Sequence, residues 1–186
     1  MVEDDAAWEE MWAPYDEETY AQALAFVPEG ATVLDIGAGD LRLARRLAPR
    51  ARMVYAVEQR PRWPLGDPLP QNLIAIQGDA RAFPVPSEVD TAVLLMRHCQ
   101  HFALYRAKLE ATGCARLITN ARWRMGVECI DLTTRPVPYD DLPLGWYACR
   151  CGATGFRPGP PEALTHAVAE TIVEVDRCPE CASWSD

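Results

Sequence analysis

Residues Thr32 to Leu47 read TVLDIGAGDLRLARRL. A short β-branched and apolar run, Thr32-Val33-Leu34, meets Asp35 and two glycines, Gly37 and Gly39. A helical pattern follows, with Leu41, Ala44, Leu47 and Ala48 on one face and Arg42, Arg45 and Arg46 on the other. The pattern is that of a buried strand feeding a helix through a tight turn. In an open α/β sheet such a turn is where a nucleotide-like cofactor lies, and glycine lets the backbone approach it closely.

Working outward, residues 16–27 (DEETYAQALAFV) predict a helix ahead of the first strand, 32–36. A helix over 40–48 and a second strand over 52–58 follow. The next segment, RPRWPLGDPLPQ, holds four prolines in twelve residues and predicts a loop or a stunted helix. Strands are predicted over 73–77, 90–96 and 116–120, with a helix over 99–112 between the last two. This order predicts an α/β, Rossmann-like, mainly parallel sheet with helices on both faces.

The chain has 186 residues and a formal charge of −9, which argues against broad, nonspecific nucleic-acid binding. Arginine supplies nearly all the positive charge, since Lys108 is the only lysine. The first 18 residues hold eight acids and no base, the composition of a solvated arm or a partner-binding one. No apolar run approaches the roughly 20 residues of a membrane span, and the acidic N-terminus is unlike a secretory signal. A cytoplasmic protein without membrane contact is expected.

Three acids fall at strand ends: Asp35 in strand one, Glu58 in strand two, Asp79 just after strand three. All three are expected along the carboxyl edge, beside the glycine turn. There Glu58 is placed to take both hydroxyls of a ribose and Asp79 to accept from a purine amine. A dinucleotide fingerprint would need glycine at position 42, where the chain has Arg42.

With VLDIGAG (33–39), VYAVE (54–58), IQGDARAFP (76–84) and EVDTAVLLM (88–96) in order, the chain resembles the class I S-adenosylmethionine-dependent methyltransferases over about residues 15–125. The resemblance implies S-adenosylmethionine as cofactor. It implies that the turn of Gly37 and Gly39 cradles the methionine end, that Glu58 binds the ribose, and that Asp79 and the Ala80 backbone bind the adenine; Asp35 either orients the glycine turn or meets an ammonium group. Where that family carries a further glycine, this chain has Leu41. Its side chain either crowds the methionine end or points into the core.

The family's Asn/Asp-Pro-Pro-aromatic motif after strand four is replaced by Arg97-His98-Cys99-Gln100-His101-Phe102. His98 and His101 are the candidate catalytic residues, as general bases or substrate contacts. Their spacing also fits a metal pair on one helical face, or surface histidines at a helix start. Tyr15 and Tyr20 either cover the cofactor or pack ordinarily. Cys99, Cys114 and Cys129 read as buried small hydrophobes or idle thiols.

After Thr133 the texture changes to the proline-rich RPVPYDDLPLG, so the expected division is residues 1–133 and residues 134–186. The second part holds Cys149-Arg-Cys151 and Cys178-Pro-Glu-Cys181, two pairs 26 residues apart. Two chelating pairs predict a closed, structural zinc site. Strands over 153–157 and 171–176 with a helix over 161–169 between them predict a small zinc-ribbon-like hairpin bracketed by the pairs. Metal supplies such a tail with stability its small core cannot. The tail is expected to wall the substrate cleft, bind a partner, or stabilise the sheet edge.

The expected function is S-adenosylmethionine-dependent methyl transfer to a small molecule or a protein, with the oligomeric state open. Two alternatives stand beside it. One is a noncatalytic S-adenosylmethionine-binding or interaction protein. The other is an RNA methyltransferase that docks its substrate through the zinc element, with Arg60, Arg62, Arg122 and Arg124 as its basic surface.

Overall fold

The structure is a computed structural model, and it describes residues 14–63, 68–122 and 126–183. The quoted stretch forms β1 (Thr32–Ile36), buried at every position. On either side lie β2 (Met53–Glu58), β3 (Leu73–Gln77), β4 (Thr91–Leu94) and β5 (Arg116–Thr119). The sheet order is β3-β2-β1-β4-β5-β6, with β6 (Glu128–Asp131) at the edge. The five pairings of this sheet run parallel except that of β5 with β6, which is antiparallel.

Alternation along the strands sends side chains to two cores. Val33, Val54, Ala56, Val93 and Ile118 pack on one face under α1 (Glu17–Phe26) and α2 (Arg42–Leu47). Leu34, Ile36, Val57, Leu94 and Leu117 pack on the other under α3 (Phe102–Ala111). The predicted Rossmann-like sheet with helices on both faces is what forms. α1 starts where Asp16 accepts a hydrogen bond from Thr19 N at 2.7 Å, which satisfies one orphan amide of the first turn. α3 starts three residues later than the sequence suggests, because His98 is in a left-handed turn at φ +60°.

Residues 134–183 build a second, three-stranded sheet from β7 (Gly145–Cys149), β8 (Thr154–Arg157) and β9 (Ile172–Val175). Its order is β8-β7-β9, antiparallel then parallel. The expected hairpin of the 153–157 and 171–176 strands does not occur, since each pairs instead with β7. The physical reason is burial: Tyr147, Ala148 and Cys149 make β7 the central strand of this small sheet. Gly155 of β8 admits the Tyr147 ring, whose hydroxyl would sit 2.5 Å from a Cβ there. α4 (His166–Glu170) and α5 (Pro179–Ala182) complete the tail. The chain passes between the two sheets over residues 132–137, from Leu132 N on Ala115 O (2.9 Å) to Val137 N on Glu174 O (2.8 Å).

No helix among the described residues is long and apolar enough to cross a membrane.

Candidate cofactor site and cysteine cluster

Strand order reverses direction between β1 and β4, and at that switch point a crevice opens beyond the carboxyl ends of the strands. Gly37 (φ +76°) and Gly39 (φ +55°) turn the chain there. A Cβ on Gly37 would lie 3.0 Å from Met96 Cε, so the turn is closed against the segment after β4. Leu41 also takes a left-handed conformation, φ +66° and ψ 12°, the geometry that favours glycine. Its side chain is 1% exposed and lies in the core under α1 and α2. It therefore turns inward and leaves the crevice open.

The crevice is lined by Asp35, Gly37, Gly39, Asp40, Leu95 and the rings of Tyr15 and Tyr20. Glu58 reaches it from β2: one carboxylate oxygen accepts from Gly39 N and the other from Arg60 N, both at 2.9 Å. Asp40 accepts from Arg42 N at 3.0 Å and pairs with its guanidinium. Asp35 is buried with Oδ2 unpartnered. Burial, and then the nearby Glu58 charge, push its carboxyl up to about 7. Tyr15 and Tyr20 meet edge to face, and Tyr15 Oη accepts from Arg97 N at 3.0 Å, which draws the segment before α1 over the crevice.

Asp79 lies one strand further out, in a separate network. Arg81 grips its carboxylate through the backbone N (2.8 Å) and the guanidinium (2.9–3.0 Å). That grip holds the Asp79 carboxyl below the usual range. Arg81 also approaches His101 Nε2 at 3.3 Å. The ammonium of Lys108 donates to the carbonyls of Ala80 (2.9 Å), Arg81 (2.8 Å) and Phe83 (2.6 Å), which fixes the loop carrying Asp79 and Ala80. His98 and His101 do not share a helical face: His98 is exposed in the turn before α3, and His101 is the residue preceding its first turn. The geometry thus offers no helical metal pair at these two histidines.

The four clustered cysteines converge. Their sulfurs all lie within 4.8 Å of one another. Cys149–Cys181 is 3.8 Å, Cys151–Cys178 3.7 Å and Cys178–Cys181 3.9 Å. A disulfide would require about 2.05 Å. The edge of a tetrahedron with metal–sulfur bonds of about 2.3 Å is about 3.8 Å. The donor set and spacing therefore fit a tetrahedral metal ion. Cys99, Cys114 and Cys129 lie apart from the cluster, and Cys129 is exposed.

The cluster is welded to the larger sheet by two buried arginines, Arg106, which the sequence did not single out, and Arg122, which was expected on a basic surface. Arg122, after β5, is 4% exposed. It donates to the carbonyl of Cys149 (3.1 Å) and to Glu128 (2.8 Å), and it pairs with Glu174 of β9. Arg106 of α3, 1% exposed, binds Glu110 at 3.0 Å and Glu174 at 2.8 Å. Glu110 in turn pairs with Arg150 in the first cysteine loop. Phe102 presses on Gly152, where a Cβ would come within 3.1 Å of its ring. The Arg106–Glu110 spacing of i, i+4 is the one signal the sequence carried. Arg122 is thereby removed from the basic surface expected for an RNA substrate, and Arg124 lies outside the described residues.

No protein-family model matches the chain, and no curated protein matches it. Solved structures do. Precorrin-8W decarboxylase of Methanobacterium thermoautotrophicum is 21% identical with a TM-score of 0.47, over 60% of this chain and 66% of that one. A dimethyladenosine transferase of Plasmodium falciparum is 19% identical with a TM-score of 0.47, over 56% and 41%. A tRNA methyltransferase of Bacillus subtilis is 22% identical with a TM-score of 0.43, over 56% and 50%. The chain thus spans between about two fifths and two thirds of these solved chains.

Proposed function

We propose that this chain is an S-adenosylmethionine-dependent methyltransferase acting on a small molecule or a protein. The observation that carries the proposal is the ring of carboxylates, Asp35, Asp40 and Glu58, around the glycine turn at the switch point. A pyrophosphate would need the backbone N–H groups of this turn and of the α2 start. Here Glu58 already takes Gly39 N and Asp40 already takes Arg42 N. Acids in those places suit a cationic ligand, and S-adenosylmethionine carries both an ammonium and a sulfonium. When bound, it supplies an activated methyl carbon to a lone pair on the acceptor.

The chain's own residues orient and enclose. Glu58 has lone pairs left for the ribose hydroxyls, and Asp35 offers its unpartnered oxygen to the ammonium. Gly37 and Gly39 keep side chains out of the turn, and Tyr15 and Tyr20 close it from above. Asp79 and the Ala80 backbone, braced by Lys108, are proposed to receive the adenine, with Arg81 yielding part of its grip. His98 and His101, on the segment after β4, are the proposed proton acceptors for substrates that must lose a proton on methylation.

In the same proposal Cys149, Cys151, Cys178 and Cys181 hold one structural zinc. The unit over residues 134–186 then acts as a stapled extension of the domain formed by residues 1–133. Four thiolates fill the coordination shell, so no chemistry is assigned to the metal.

Calorimetric titration of S-adenosylhomocysteine, the demethylated product, tests the cofactor. The wild-type protein is expected to bind it, and Glu58→Ala to weaken it between about 10- and 100-fold through loss of charged hydrogen bonds. Absence of binding to the wild-type chain would refute the proposal.

A further inference from the structure

Among the described residues, three buried side-chain atoms without a hydrogen-bond partner belong to two residues on one face of the sheet. They are Asp35 Oδ2 and both amide atoms of Asn120. Asn120 follows β5 directly and is 0% exposed. The β4–β5 ladder ends at the pair Leu94 and Thr119, so Leu95 and Asn120 come next in register. Leu95 lines the crevice with Gly37 and Tyr15.

Side chains two apart on a strand share a face. Continued one residue past β5, that alternation puts Asn120 on the face of Ile118, whose core also holds Val93 and Val33, and Val33 shares its face with Asp35. Two ladder spacings, about 10 Å, separate β1 from β5. The acids that suit the cofactor lie on the β1–β2 side of the crevice. Asn120 lies on the other side, next in register to Leu95, and its side chain is covered in this structure.

A buried carboxamide that uses neither its donor nor its acceptor carries the desolvation penalty of both. Native interiors rarely leave one so. Both ends lack a partner, so exchanging the oxygen and the nitrogen leaves the amide equally unsatisfied. Stability given up in this way is a mark of residues kept for a ligand.

We propose that Asn120 is an acceptor-binding residue whose carboxamide pairs with a neutral group carrying an adjacent hydrogen-bond donor and acceptor, such as an amide or lactam edge. A charged acceptor group suits the place poorly, since the buried amide brings no opposite charge to offset its desolvation. The role as acceptor site rests on the methyltransferase proposal. The ligand contact at Asn120 does not.

The test follows the Asn120 side-chain amide by nitrogen-edited NMR of the full chain. Benzamide, and separately benzoate, is titrated with and without S-adenosylhomocysteine. Benzamide is expected to shift the Asn120 amide saturably, and benzoate to leave it in place. Asn120→Leu is expected to abolish the benzamide response at Leu95 and Tyr15 and to raise the unfolding midpoint by several degrees, because an unsatisfied amide is removed. No benzamide response in the wild-type protein overturns the assignment, as does an equal response in the variant. A lowered midpoint in Asn120→Leu also overturns it, by showing an amide held for structure, as through a buried water. If S-adenosylhomocysteine fails to bind while benzamide still shifts Asn120, the cofactor proposal falls and the amide site stands.

Discussion

Replacing Leu41 by alanine and by glycine separates two effects that the wild-type turn combines. The side chain is 1% exposed in the core under α1 and α2, while its backbone sits at φ +66°. Truncation to alanine forfeits the packing and keeps the strained backbone, so Leu41→Ala is expected to cost about 3 kcal/mol, within the usual range for buried leucines. Glycine forfeits slightly more packing but relieves about 1–2 kcal/mol of left-handed strain. Against that stands about 0.4–1 kcal/mol for the greater freedom of glycine in the unfolded chain. Leu41→Gly should therefore be the more stable variant by about 0.5–1 kcal/mol, the reverse of the order expected in a right-handed helix. Urea unfolding with matched slopes reads the difference directly. Alanine equal to or above glycine would refute the strained-turn argument. The same pair tests the inward orientation: S-adenosylhomocysteine affinity should be the same in Leu41→Gly and wild type, and a large gain on going to glycine would show that leucine does obstruct the crevice.

Metal analysis of the native chain should return one zinc per molecule, and Cys178→Ser should lower the unfolding midpoint and release the metal; a native protein devoid of metal, or a variant that melts unchanged with zinc retained, refutes the site. Arg122→Met should cost about 2–4 kcal/mol, because Glu128 and Glu174 each lose a buried cation and the Cys149 carbonyl keeps only the Gly152 N–H as donor. Arg46→Ala, which breaks an exposed pair with Glu17 and a stacking contact over the Tyr20 ring, should cost no more than about 1 kcal/mol, so similar values for the two in denaturant titrations would count against the buried weld. For Asp35, the folded carboxyl sits near 7 and the ordinary value is 3.8, so the folded state binds the extra proton between those two points. Its contribution therefore falls as pH rises through that window, by about 4 kcal/mol in all. Asp35→Asn should gain stability relative to wild type as pH rises from 4 to 8, and a pH-independent difference between the two proteins would refute the buried, unpartnered carboxyl.

The inner strands were legible because each is a short apolar run, and β1 and β4 are buried at every position, the signature of a parallel sheet. Two strands were hidden for opposite reasons. β6 buries only Ile130, so its polar alternation reads as loop. β7 begins at Gly145 after a proline-rich stretch, and its central place depends on partners on both sides rather than on its own composition. The acids at the carboxyl edge were legible from their positions at strand ends. Their occupation was not: that Glu58 holds Gly39 N and that Arg81 holds Asp79 follows from geometry fixed only when the strands align. Leu41 was recognised as out of place for its turn, but only its backbone angle shows that leucine has taken over the conformation of a glycine.

The near absence of lysine also acquires a physical meaning. The buried weld between the two sheets asks each cation to meet several oxygens in fixed directions: Arg122 serves Glu128, Glu174 and the Cys149 carbonyl, and Arg106 serves Glu110 and Glu174. A planar guanidinium does this with its fork of donors and is more weakly hydrated than an ammonium, so it enters the interior at lower cost. The single lysine stands where the demand is different. Three carbonyls of one loop, Ala80, Arg81 and Phe83, converge on Lys108 Nζ from 2.6 to 2.9 Å, and a compact ammonium with three donors fits that point where a flat guanidinium could not. Charged side chains that read as solvated surface along the chain are thus divided between two structural tasks. The arginines bind the cysteine unit to the sheet, and the lysine shapes the loop that carries Asp79. Both tasks bear on the carboxyl edge of the sheet: Arg122 follows β5 there, and Lys108 braces the loop after β3.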